Sequence, residues 1–171
     1  MSPWVRTVWR GKAMEAVGLI EETRQALARS AAAAGTSGVA DVIAEVWQVQ
    51  ALVEAVGSHL AITGPPAVRA EAVSLSEAGM SGCVTLRHDG QGAEGVRAAR
   101  LTRMDDVHAA LGALAVLLGE SVTALVGVCV SAEEQGLYWQ CVEAIDAADV
   151  SADRVTGILR GLALPERGPA A

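Results

Sequence analysis

The chain has no phenylalanine, no asparagine, one tyrosine and one lysine. With Lys12 the single lysine, in the N-terminal tail, and no GxSxG or SxxK string, nucleophilic catalysis has little support. Thirteen Lys and Arg against twenty Asp and Glu leave a net charge of −7. A broad footprint on nucleic acid needs clustered basic groups, so that partner class is set aside. The cysteines, Cys83, Cys129 and Cys141, are odd in number and lack CxxC spacing. They predict neither a disulfide framework nor a thiolate metal site. Nothing at the start reads as a signal peptide, which predicts a reduced, cytoplasmic protein with buried thiols.

What is present is apolar: 51% of the 171 residues are hydrophobic and 19% charged, a globular composition with length for one domain. "MSPWVRTVWRGK" differs from the rest, holding two of the four tryptophans and three basic residues. Residues 1–12 are read as a tail, either disordered or preceding a true start at Met14, with a basic-aromatic anchor as the alternative. Residues 13–163 are read as the folded unit and 164–171 as a C-terminal tail.

From Lys12 to Ala34 apolar residues recur at Ala13, Val17, Ile20, Leu27 and Ala31, the stripe of an amphipathic helix, and "GTSG" ends it. Val39, Val42, Val46, Val49, Val53, Val56 and Leu60 then alternate spacings of three and four. A strand would need period two, so this is a helix of about 26 residues, roughly 39 Å long, with a seam for partner helices. "TGPP" stops it, and Pro66 opens a third helix to about Ala78. Gly79–Gly95 is expected to be irregular and Val96–Met104 helical. From Asp105 the helical spacing runs on to Asp149, about 67 Å if straight, so a bend is expected near Gly136 or Gly119. "DVSADR" reads as a turn in which Ser151 caps a last helix to Leu162. The fold predicted is an all-α, single-domain antiparallel bundle of five to six helices.

Val107–Val130 is long enough to span a bilayer. Glu120 near its middle and the lack of a basic flank favour a buried core helix instead.

The chemical motifs are weak. Gly90, Gly92 and Gly95 spell GxGxxG without the strands a dinucleotide fold needs, so no cofactor is predicted. Asp105, His108 and His59 lack a second ligand pair, and Cys129 and Cys141 lie about 18 Å apart on a straight helix, so no metal is predicted. Glu143, Asp146 and Asp149 read as a solvated stripe. Tyr138, Trp139 and Cys141 crowd into "GLYWQC", and their spacing predicts bulky core packing, with Asp146 or Gln140 as polar partner. The alternative is a ligand pocket drawing on Trp47, His59, His108, Tyr138 and Trp139.

At "AEVWQVQALVEAVGSHLAITGPP" and "EEQGLYWQCVEAIDAADVSADR" the chain resembles a family of uncharacterised actinobacterial proteins, a domain of unknown function. The resemblance covers Met14 to about Leu162 and implies no activity or catalytic residue. The residues thus favour a non-enzymatic bundle that binds another protein, or forms a homodimer through the valine seam. A small-molecule-binding bundle, or an enzyme of unknown reaction with a pocket near Trp47 and Trp139, is the alternative.

Overall fold

The structure, a computed structural model, describes residues 14–33, 36–86 and 95–164, without the side chains of 36 and 37. The N-terminal tail, Gly90, Gly92 and residues 165–171 lie outside the described residues. Among the described residues five α-helices form an all-α bundle: α1 (Ala16–Ala32), α2 (Thr36–Thr63), α3 (Arg69–Thr85), α4 (Val107–Ser131) and α5 (Gln135–Ala163). The helices follow one another around the core, α1 against α2, α2 against α3, α3 against α5, α5 against α4 and α4 back against α1.

The valine seam is buried inside the chain. Val46, Val49, Val53, Val56 and Leu60 are fully enclosed, Val42 nearly so, and Val39 is half-buried against the core. A homodimer built on that seam would have to open the core, so this expectation is corrected. One face of α2 takes α3 at short range. A Cβ at Gly57 would meet the backbone of Ser76 and Ala72, and one at Gly79 the backbone of Glu54 and Gln50. Glycine is the residue that lets two helix backbones come this close. Gln50 lies wholly buried at the same interface, its Oε1 accepting from the Ser151 hydroxyl at 3.4 Å.

α3 runs on through Thr85 where an irregular stretch was expected, because Gly79 and Gly82 are contact positions against α2 and not breakers. Between α3 and α4 the expected helix is a short 3₁₀ turn, Arg97–Arg100, followed by the strand Leu101–Arg103, which pairs in parallel with Met14–Glu15. Ion pairs hold this segment. Arg97 donates two hydrogen bonds of 2.6 and 2.7 Å to Glu45 of α2, and Arg100 donates to both oxygens of Glu22 on α1.

The long C-terminal periodicity is a hairpin of two helices. α4, capped by the Asp106 carboxylate on the Ala109 amide, stops at Ser131, and Ala132 and Glu134 are extended. Two physical terms favour the break there. Glu133 and Glu134 precede the positive N-terminus of α5, where carboxylates are stabilised, whereas a continuing helix would place them mid-span. Folding back also buries Cys141, Ala144 and Ala148 against the rest of the core. The predicted turn at Asp149–Arg154 is continuous helix. Ser151 is fully buried and returns its hydroxyl to the Ala147 carbonyl at 3.0 Å, while Asp149, Asp153 and Arg154 face outward.

Candidate functional site

α4 is the most apolar helix, with an 18-residue stretch of mean hydropathy 2.1, yet only 33% of that stretch is buried inside the chain. Its inner face, Leu111, Leu114, Leu118 and Leu125 among others, fills the core. Its outer face carries Val116, Gly119, Thr123, Val126 and Val130, spaced three, four and seven apart, and Val130 is 84% exposed. This uncharged ridge has α1 on one flank and α5 on the other, and α2 also packs against α4.

On the α5 flank stand Tyr138 and Trp139, 44% and 60% exposed, their rings edge to face with centroids 5.5 Å apart. Core packing of this pair is therefore corrected. Tyr138 and Trp139 lie in the first turn of α5, which begins beyond the region covered by α3, and the core there is closed by small residues instead. The Cys129 thiol donates to the Tyr138 carbonyl at 3.9 Å, which fixes the aromatic pair level with the last turns of α4.

On the α1 flank lies an open groove of about 690 Å³, walled by small and branched residues such as Leu27, Ala31, Val39, Val42, Ala124 and Val128. Small residues, Ala28 and Ala31 on α1, Gly38 on α2 and Ala124 and Gly127 on α4, leave the space between larger wall residues. Across it Arg24 of α1 donates from Nε and Nη2 to the two Glu120 oxygens of α4, at 2.9 and 2.6 Å, and from Nη1 to Glu21 at 2.9 Å. Hydrogen bonding to Arg24 holds the Glu120 carboxyl below the usual carboxylate range, against the opposing effect of partial desolvation. The guanidinium is held protonated more firmly than a free one by the same bond. With its charge matched by two carboxylates, Arg24 braces the groove more than it offers a binding charge.

The five residues proposed from sequence do not converge on this groove, and none of them lines it. Trp47 and His59 are half-buried on α2, twelve residues and so about 18 Å apart along the helix. His108 is exposed at the start of α4, roughly 30 Å from the α4 end that meets Tyr138. Only Tyr138 and Trp139 are brought together. Among the described residues no three His, Cys, Asp or Glu side chains converge as a metal-binding group.

The cysteine reading is corrected as well. The hairpin folds Cys141 back beside Cys129, where a straight helix would have held them apart. Burial, with the Cys129 thiol as a second cause, pushes the Cys141 thiol up to about 12, and burial beside Glu54 pushes Cys83 up to about 11. Both are protonated at neutral pH, the state of packed and poorly nucleophilic thiols.

Sequence reasoning missed the groove because its walls come from three helices far apart in sequence, from Glu21 to Ser131, and carry no motif. One signal was available: Glu120 in the middle of an apolar helix requires a partner, and α1 offered Arg24.

The chain belongs to a family of unknown function, DUF6099, which matches residues 14–161. No curated protein and no solved structure matches it.

Proposed function

We propose that this member of DUF6099 is a non-enzymatic, cytoplasmic protein-binding module whose contact surface is the outer ridge of α4 with its two flanks. The observation that carries the reading is the mismatch between composition and burial on α4: mean hydropathy 2.1 with a third of the stretch inside. Contiguous exposed apolar surface of this kind marks interaction sites, and interface anchors are enriched in Trp and Tyr. Tyr138 and Trp139, level with Cys129 in the turns of α4 that carry Val126 and Val130, fit that description. Of the other exposed apolar residues, Val73, Met80 and Val84 share a face of α3, but the exposed Glu77 interrupts it, and Ile62 and Val150 stand apart.

Affinity capture from the native cytoplasm, run in parallel with the wild-type chain and a Val130→Ser/Trp139→Ser variant, tests the proposal. A protein retained by the first and lost by the second is expected. An identical retained set from both would overturn the reading.

A second reading, a small-molecule site in the α1–α4 groove, is favoured by its volume, which lies within the usual range for ligand pockets. Native mass spectrometry of the gently purified chain would reveal an added small mass that Ala31→Trp removes. Its absence in the wild type would count against this reading.

A further inference from the structure

The ridge is flanked by two features of opposite shape at one height. The groove spans Glu120 to Ser131 on α4, and the Tyr138–Trp139 pair stands level with Cys129, within the same turns. Because α1 and α5 lie on opposite flanks of α4, the hollow and the projection lie on opposite sides of the ridge. This arrangement has a symmetry consequence. A two-fold axis parallel to α4 exchanges left and right and preserves height, so two copies set ridge to ridge would bring each projection over the other's hollow. A two-fold perpendicular to α4 would set projection against projection and hollow against hollow. Only the first operation closes both features at once.

We infer that the partner of this surface is a second copy of the chain, bound about a two-fold axis parallel to α4, with the Tyr138–Trp139 pair of each copy seated in the groove of the other. The inference rests on the reading of the ridge as a binding surface and supplies its occupant.

The chemistry of the two halves matches. Indole N–H is a donor only, and a buried Trp or Tyr needs an acceptor for its polar atom. The groove offers the Glu21 and Glu120 carboxylates and the hydroxyls of Thr123 and Ser131. The ridge between carries no charge, and where exposed Glu133, Glu134 and Glu143 flank the aromatic pair, Arg24 offsets part of the charge of Glu21 and Glu120 in the groove they would approach. The area is sufficient as well. Aromatic side chains contribute roughly 150 to 250 Å² each when fully covered. The exposed part of the pair, the groove that receives it and the three ridge valines together approach the lower end of about 600 to 800 Å² per partner for a specific interface. A dimer of that size is reversible and concentration-dependent.

The test is light scattering and sedimentation equilibrium on the full chain over a wide concentration range, for wild type, Trp139→Ala and Ala31→Trp. Trp139 and Ala31 are exposed, so neither change disturbs the core, and circular dichroism checks that each variant is folded. The expected result is a wild-type particle that rises from 17.5 kDa to twice that mass with concentration, and at least tenfold weaker association in each variant. Mixing the two variants should restore association in part, because one copy then supplies an intact groove and the other an intact projection. A dimer that persists undiminished in Trp139→Ala, or open-ended higher oligomers, would overturn the inference. A wild-type chain that stays monomeric at every concentration would also overturn it. If face-dependent capture of a different protein survives that last result, the binding-surface reading stands and only the second copy is lost.

Discussion

Arg24 on α1 and Glu120 on α4, 96 residues apart in sequence, are joined by two hydrogen bonds of 2.9 and 2.6 Å that span the groove. The pair explains how an acid is tolerated in the middle of the most apolar helix. It also ties together the two walls between which the proposed partner would insert.

Replacing Glu120 with Gln removes the charge from this bridge. Both side chains are more than a third exposed or close to it, so solvent screens the pair and the loss at pH 7 should be small. Its pH dependence is the sharper test. A carboxyl whose pKa is lowered on folding contributes stability above the ordinary value of about 4.3, and that contribution is lost as pH falls through the lowered value. The urea midpoints of wild type and Glu120→Gln should therefore differ at pH 7 and converge in acid. A gap that widens on acidification would contradict the assignment.

Gly79→Ala should be among the most damaging small changes. The added Cβ meets backbone of α2, which cannot swing aside as a flexible side chain would. Overpacking of this kind costs about 1 to 3 kcal/mol. The loss should appear as a lowered urea midpoint with unchanged slope, whereas the same substitution at Gly112, where a Cβ meets open space, should be neutral or mildly stabilising.

Gln50→Met should be tolerated or should stabilise. Among the described residues the Gln50 Nε2 has no hydrogen-bond partner although its residue is fully buried, and Ser151 keeps its bond to the Ala147 carbonyl when the amide is gone. Removing an unpaired buried donor by a volume-conserving swap relieves a desolvation cost of roughly 1 to 3 kcal/mol, offset in part by repacking against Gly82. Thermal denaturation of the two proteins measures the balance, and a loss above about 2 kcal/mol would show that the amide is satisfied in solution.

The thiols predict an alkaline limit. Cys83 and Cys141 titrate near 11 and 12 in the folded chain, mainly through burial, and near 8.5 when unfolded. A thiol whose pKa is raised on folding contributes stability that is complete below the unfolded value. That contribution declines as pH rises toward the folded value. Stability should fall between about pH 8.5 and 12, less steeply in Cys141→Ala. At pH 8 an alkylating reagent should label the half-buried Cys129 before the enclosed Cys141.

The parts of the fold that were legible in sequence are those where one helix carries its own signal. The seam from Val42 to Leu60 announced α2, and the stripe through Ile20 and Leu27 announced α1. The failures came where a local rule met a tertiary contact. Gly79 and Gly82 looked like breakers and are contact points, and the polar run around Ser151 looked like a turn because its buried partner, Gln50, lies 101 residues away. The break at Ala132–Glu134 falls close to Gly136, where a bend was expected, but nothing in the local sequence said that the chain would fold back into a hairpin there. From the unforeseen fold-back followed the misplacement of Cys129 against Cys141 and the assignment of Tyr138 and Trp139 to the core. The groove left one trace, the lone acid Glu120 within an apolar helix, because the rest of its lining looks like ordinary helix in one dimension.

Oxidative footprinting of side chains, read residue by residue at two protein concentrations, tests the central claim most directly. In dilute solution Trp139 and Tyr138 should label strongly and the half-buried Trp47 less. At high concentration labelling of Trp139, Tyr138 and the ridge valines should fall several-fold while Trp47 is unchanged. Trp139 labelling that is weak from the outset, or that stays the same as concentration rises, would contradict the account.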